Sequence, residues 1–520
     1  MKYIYSFIIA CIAISFVGCK KFLDRPSITV VDDETAWTNE LNVRLYVNKY
    51  YTSFFPGYGL GWGTAGAPLL NYQFSDDVFM SGNPSNFTRA VPNTGSWSYS
   101  TIRSVNILIS RLNERMTGVL TEESFDHWMG IGRFLRALEY SKLVLRYGDV
   151  PYYDYVVADT DKDALYKPRT PRNEVMDHVY NDLKFAMEKV RISDGDQYLN
   201  RYAVAGLVSS TALMEASWQK YYYNNNDRAK KFFELAEDAA NVVIASGKFD
   251  IVTDFRTLFT SNNLAGNRDV LLYRHYDAAA GITHAVASNC AISVSFGPTT
   301  DLIKSFVCVD GQAWQNSSVT DASDFSLSNM IQTRDSRLEA TFYEKPNAKS
   351  VPSYWYVNKF IPRAVAEAIA SGGVTPAEFS GDKNETDYPV LRYSEVLLNW
   401  IEARAELGKA SQSDIDRSIN KIRNRPIAPG AIAKGVKKTA ALNLAMLPND
   451  PARDADVSPL LWEIRRERRM EFAFEQGRYE DLRRWKKLEK MDTQLNPDIV
   501  SGGWVNFPSE MPGDLVKSKE

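Results

Sequence analysis

Residues 458–487 read SPLLWEIRRERRMEFAFEQGRYEDLRRWKK, and this stretch decides the fold. Ser458 and Pro459 supply an N-cap and a proline at the first helical position, so a helix begins here. Glu463, Glu467, Glu471 and Glu475 recur every four residues and stack on one helical face. Arg465, Arg466, Arg468 and Arg469 fall within pairing distance of them along a helix. Leu461, Ile464, Met470, Phe472 and Phe474 are interleaved with these charges, and Tyr479 and Trp485 follow in a second short helix. A solvated charged face would not carry so many aromatic rings. The pattern predicts a helix packed on most sides, with its ions partnered inside. Acids nearly balance bases locally, which argues against a phosphate-binding helix and so against nucleic acid.

The chain has 520 residues, 44% hydrophobic and 24% charged, with a formal net charge of −3. That is globular composition with no electrostatic pull toward nucleic acid or anionic lipid. Aromatics reach 12%, with 28 Tyr and 11 Trp, side chains that pair an apolar body with a polar tip. The four histidines, His127, His178, His275 and His284, lack metal-ligand spacing. Cys11 and Cys19 lie in the N-terminal leader. Cys290 and Cys308 are left either to form one bridge or to stand as separate buried thiols.

Lys2, the apolar run from Tyr3 to Val17, and Gly18-Cys19 form a secretory leader over 1–18. The small residue before Cys19 suits a lipoprotein signal peptidase, which would leave Cys19 acylated as the first mature residue. Plain secretion or a short anchor are the other readings of the same stretch. Residues 19–35 have no periodicity and read as a tether. Glu34 to Tyr51 reads as a first helix with Trp37, Leu41, Leu45 and Tyr46 on one face. Helical patterns return at Trp97, over His127–Tyr147, after Thr170-Pro171, over Arg201–Tyr223 and Asp227–Ser246, and over Arg392–Leu407 and Ser413–Asn424. Gly148, Gly247 and Gly408 close three of them. Paired helices with short turns of this kind must stack to bury their faces.

Two regions differ. Residues 56–96 are rich in Gly, Pro, Asn and Ser around embedded aromatics, and 250–387 mix short strands with aromatic loops. Long loops of this type in a compact protein carry function. Asp76-Asp77 would cap or order the first of them.

The run Ile464, Glu467-Arg468-Arg469, Glu471-Phe472, Phe474-Glu475, Arg478, Asp481-Leu482 and Arg484-Trp485 resembles the C-terminal signature of the SusD/RagB family. These are glycan- or peptide-capturing lipoproteins of the bacterial outer surface. One departure is Gln476, inserted before Gly477. Lys20 to Pro26 (KKFLDRP), RFLRALEYSKLVLRYGDVP at 133–151, and 388–407 also resemble the family, so the likeness spans the mature chain. Trp97, Tyr99, Ile102 and Asn106 match a further family element, which implies a structural role for Trp97. The resemblance implies a mainly α fold: a SusD-like scaffold of tetratricopeptide-like helix pairs, four degenerate units in all, with loop-rich insertions and a few short strands. It implies one domain over 36–520, with scaffold at about 36–55, 97–247 and 388–490 and ligand-binding insertions at about 56–96 and 250–387. It implies a lipid anchor in the outer membrane, a surface-facing position, and a SusC-like TonB-dependent transporter as partner.

Chemistry finds little support. There is no Gly-rich phosphate loop after a strand, no His-x-x-x-His pair and no Gly-x-Ser-x-Gly elbow. Cys308 has no histidine at a suitable spacing. The reading is a binding protein with no cofactor, no metal and no catalytic residues. Flat aromatic rings cover the C–H faces of sugars, and Asn, Asp and Arg satisfy their hydroxyls. The candidate ligand-binding residues are Tyr58, Trp62, Phe79, Asn86, Arg89, Trp314 (beside Asp310 and Gln312) and Trp355 (between Tyr354 and Tyr356). Capture of an oligosaccharide or polysaccharide is the leading expectation. Peptide capture, a surface lipoprotein hydrolase and a structural or adhesion lipoprotein are the alternatives.

Overall fold

A computed structural model of the chain describes residues 33, 36–59, 75–80, 97–291, 296–342, 355, 357–371, 373–475, 477–503 and 505. Helix α1 (Glu40–Phe54) is capped by the Asn39 side chain. It buries Val43, Val47 and Tyr50, while Leu41 and Leu45 are 62% and 60% exposed. The expected face is therefore rotated. The helix begins at Glu40, not Glu34, and its inward stripe runs at spacings of four and three from Val43. Trp37 is buried just before the helix and donates its indole N–H to Asp33.

Strand β1 (Val78–Met80) follows. Helix α2 (Ser100–Arg111) runs on into one π-helical turn, and α3 (Glu122–Tyr147) is capped by Thr121. Helices α4 (Arg172–Lys189), α5 (Arg201–Tyr221) and α6 (Asn226–Ala245) come next. Then come β2 (Val270–Arg274), β3 (Phe296–Pro298) and β4 (Tyr388–Arg392). The C-terminal part holds α7 (Tyr393–Glu406), α8 (Gln412–Arg417), α9 (Ile419–Arg423), α10 (Pro459–Glu471) and α11 (Arg478–Arg484).

Successive helices pack in pairs: α3 lies on α4 and on α2, and α5 lies on α6. Helix α7 packs on α5, α6 and α10, and α11 reaches back to α5. The two described sheets have two antiparallel strands each, β1 with β3 and β2 with β4. One hydrophobic cluster runs through the helical layers from Trp37 to Ile464. A second gathers Tyr58, Phe255, Phe306, Phe342, Trp355 and Phe474 beneath the loop-rich part.

Two expected elements end differently. The helix expected over Ser413–Asn424 is broken at Ser418, whose backbone sits at φ −122°, ψ −89°. Its hydroxyl bonds the Asp414 carbonyl at 2.6 Å, a local bond that competes with the helical ladder. The glutamate row of the signature stops at Glu471. Phe472 is the C-cap, and Phe474 takes φ 59°, so Glu475 lies beyond the helix. A left-handed phenylalanine costs about 1–2 kcal/mol. Its ring is fully buried and meets Phe342 edge-on at 5.7 Å, which offsets that cost.

The ions of α10 are internal, as the alternation of charge and apolar side chains predicts. Glu467 accepts from Arg337 at 2.6 Å and from Arg423 at 2.9 Å. Glu471 receives Arg392 at 2.6 Å, and Arg337 and Arg425 at 3.1 Å. Burial alone would push the Glu471 carboxyl up. The surrounding Arg425, Arg392 and Arg337 guanidiniums outweigh it and hold it far below the usual range. Glu475 still joins the network, taking Lys359 at 2.6 Å and Arg392 at 2.7 Å.

Candidate ligand-binding site

The first turn of α10 is partly exposed, and a cleft of about 240 Å³ opens beside it. Trp314 forms one wall, half-buried, its ring braced edge-on by Phe325 at 5.2 Å. Trp462, half-buried on the first turn of α10, forms another wall and donates its indole N–H to Asp450 at 2.8 Å. Trp485 lies deeper, with its N–H held by Glu402 at 2.7 Å.

The polar groups between the rings are held in place by one another. Arg465 lies over the Trp485 ring at 4.7 Å and donates to the Tyr221 hydroxyl at 2.8 Å. Arg469 bonds Asp77 and Asp301, each at 2.7 Å. Lys304 bonds Asp498 at 2.8 Å. Lys490 pairs with Asp454 at 2.5 Å and stands 5.3 Å from the Trp462 centroid. Gln315 and Ser305 complete the rim. Donors and acceptors whose rotamers are already fixed lose little entropy on meeting a ligand. The arrangement suits a ligand with apolar faces and many hydroxyls.

Behind the cleft, Asp76 and Asp77 are fully buried and tie the segment 75–80 to the signature. Burial alone would raise Asp76. The Arg469 and Arg478 charges outweigh it and lower its pKa to about 2. Asp77 is pushed upward, chiefly by burial, with the charge of Asp76 adding to it. The two aspartates order their loop by ion pairing across the chain rather than by a local turn.

Of the residues expected to face ligand, the cleft holds Trp314. Tyr58 is a correction: it is 2% exposed, stacked with Tyr276 and packed on His284, Phe360 and Tyr388. Trp355 is another: it is 1% exposed and packs on Phe342 at 5.1 Å. Both rings are core because residues distant in sequence cover them. Asp310, beside Trp314, instead organises its own turn, accepting from Gln312, Ser317 and Ser318. Phe79 belongs to β1 opposite Gly297, and its side chain lies outside the described residues. Trp62, Asn86, Arg89, Cys19, Tyr354 and Tyr356 also lie outside the described residues. Cys308 is a free, buried thiol that accepts from Arg334 at 3.3 Å, so of its two readings the separate thiol holds. Among the described residues no group of three His, Cys, Asp or Glu could hold a metal ion.

Trp462 was missed by sequence reasoning. It sits inside a segment read as packed on most sides, and helical phase gives no signal for it, since Arg465 and Arg466, three and four positions on along the same face, are buried.

These features define a class: a stacked helical scaffold carrying a loop-rich layer, with an aromatic cleft where the two meet. The chain belongs to the SusD-like family. The family model described as "SusD family" matches residues 273–501, and the one described as "Starch-binding associating with outer membrane" matches residues 74–213. A SusD-like protein P2 of Formosa agariphila is 24% identical over 93% of this chain and 91% of its own length. The crystal structure of a SusD-like carbohydrate binding protein from Bacteroides fragilis aligns with TM-score 0.64, at 18% identity over 88% of each chain. A relative crystallised with xylogluco-oligosaccharide aligns with TM-score 0.52, at 18% identity over 83% of this chain and 84% of its own.

Proposed function

We propose that this chain captures carbohydrate at the outer membrane surface, binding an oligosaccharide or polysaccharide in the Trp314–Trp462 cleft. The single observation that carries the site is two half-buried indoles in one cleft, framed by polar groups held in fixed orientation. The C–H face of a sugar ring lies on an indole. Its hydroxyls donate to Asp454 and accept from Lys304 and Gln315. The cleft is smaller than a typical ligand cavity of about 300–1,000 Å³, so it takes one or two sugar units while the rest of a glycan runs over the rim. Membership of a family whose relatives include a carbohydrate binding protein supports the ligand class.

In this reading Cys19 carries the lipid, residues 19–35 are the tether, and residues 36–520 form one SusD-like domain. The glycan passes unchanged to a SusC-like TonB-dependent transporter, and no bond is made or broken. The loop residues Trp62, Phe79, Asn86 and Arg89 extend the surface offered to the polymer.

Calorimetry of the full mature chain against xyloglucan oligosaccharides, malto-oligosaccharides and mixed peptides tests the site. Trp314→Ala and Trp462→Ala are each expected to weaken glycan binding about tenfold or more, equivalent to about 1.4 kcal/mol. Parental affinity in both variants would remove the site. Binding of peptide in place of glycan would replace the ligand class.

A further inference from the structure

We propose a second ligand site, for the acidic group of a uronate or sulfated saccharide, in a cleft of about 850 Å³ remote in sequence from Trp314. It opens between the end of α6, the start of α7, the broken pair α8–α9, and residues 438–441. Five cations line it, Arg268, Arg417, Lys421, Arg423 and Lys438, against two acids, Asp250 and Asp416. The chain as a whole is slightly acidic, so this is a local reversal of charge.

The acids are already engaged. Asp250 holds Lys421 at 2.6 Å and Arg268 at 3.9 Å. Asp416 accepts the side-chain amides of Gln412 at 2.9 Å and Asn420 at 2.7 Å. Arg423 is buried and already paired, bonded to Glu467 and to the Ala440 carbonyl, each at 2.9 Å.

The exposed cations are not spent in the same way. Arg417 lies 5.2 Å over the Trp400 ring, and Lys438 bonds the carbonyl and side-chain oxygens of Asn424 at 2.9 and 2.7 Å. Among the described residues neither is ion-paired to a carboxylate. A guanidinium without a carboxylate partner can bond a carboxylate or sulfate through two N–H groups. Phe249 and Tyr393, 6.1 Å apart, supply an aromatic floor, and Asn420 and Asn424 supply amides. Charge on the wall, rings on the floor and amides between them fit an anionic sugar better than a bare anion or a neutral glycan.

The test is titration of the full mature chain with trigalacturonate and, separately, with a 4-sulfated chondroitin disaccharide. The expected result is binding of at least one probe that weakens as salt rises from about 0.05 M to about 0.3 M. Binding of trigalacturonate alone assigns the site to uronates, and binding of the sulfated probe alone assigns it to sulfate esters. Arg417→Gln with Lys438→Gln is expected to cut that affinity about tenfold, with an unchanged melting profile since both side chains are exposed. Trp314→Ala should leave it intact, which separates this site from the cleft proposed above. Absence of binding by both probes, parental affinity in the double variant, or equal binding of the neutral trigalactoside would overturn the proposal.

Discussion

Arg478 donates its Nε and Nη2 hydrogens to the two carboxylate oxygens of Asp76, at 2.7 and 2.6 Å, across 402 positions of sequence. This fork-to-fork pair is buried and fastens the only described part of the 56–96 insertion beyond Gly59 to the C-terminal signature. Arg469 reinforces it through Asp77. A surface ion pair of the same geometry would add little, but here removal of one partner leaves a charge without water or counter-ion.

Asp76→Ala is therefore expected to cost about 3–5 kcal/mol of stability, measured as a shift in the urea midpoint. The exposed pair Arg103–Asp159, at 3.6 Å, is the control, and Arg103→Ala should change stability by less than about 1 kcal/mol. Equal effects from the two variants would show that the Asp76 pair is not desolvated in solution.

Glu471→Gln keeps the volume of the side chain but removes the charge shared by Arg337, Arg392 and Arg425. The loss is expected to reach about 3–5 kcal/mol, because the three buried guanidiniums lose their common anion and keep only their other partners, Asp335 and Glu467 for Arg337, Glu475 for Arg392 and Asp269 for Arg425. A variant that melts with the parent would mean that the network relaxes around neutral glutamine.

Trp355→Ala and Trp314→Ala separate core from site. The first opens a cavity beside Phe342 and should cost about 3–5 kcal/mol with no direct effect on ligand. The second removes a half-exposed ring and should lower glycan affinity far more than stability. The opposite pattern in melting and titration would exchange the two assignments.

Two buried histidines set an acid limit. Burial, helped by the Arg191 and Arg44 charges against the pull of Asp194 and Glu40, lowers His127 from 6.5 to about 4. Burial likewise lowers His284 from 6.5 to about 3, and its Nε2–H donates to the Thr386 carbonyl at 2.8 Å. Both folded pKa values lie below the unfolded value, so the unfolded chain binds more protons between them. Stability is then full above about pH 6.5 and falls as pH drops toward 4 and 3, by about 3 kcal/mol for His127 and about 5 kcal/mol for His284. Melting temperature followed from pH 7 to 4 should decline, and His127→Gln with His284→Gln should flatten the upper part of that decline. An unaltered slope in the double variant would assign the decline to carboxylates.

Local order was legible where one stretch contains its own cause. Ser458 and Pro459 start α10 because cap and ring act on the next turn, and Gly148, Gly247 and Gly408 each take φ between 64° and 73° at helix ends. Alternation of arginine, glutamate and phenylalanine told that the α10 ions lie inside, since exposing those rings would be costly. Site residues were less legible. Tyr58, Trp314 and Trp355 stand in similar settings, each an aromatic in a polar loop.

By itself the sequence determined the helical scaffold, the buried character of the signature and its likeness to the SusD-like family. The scaffold and the buried signature follow from spacing and from the mixing of rings with charge, and the likeness rests on matched residues. Only the tertiary structure decided which rings face solvent, because that depends on coverage by remote chain: Phe342 over Trp355, Tyr276 and Tyr388 over Tyr58, and open water beside Trp314 and Trp462. It alone joined Asp76 to Arg478. Desolvation and Coulomb attraction act through space, and no short window of sequence contains both partners.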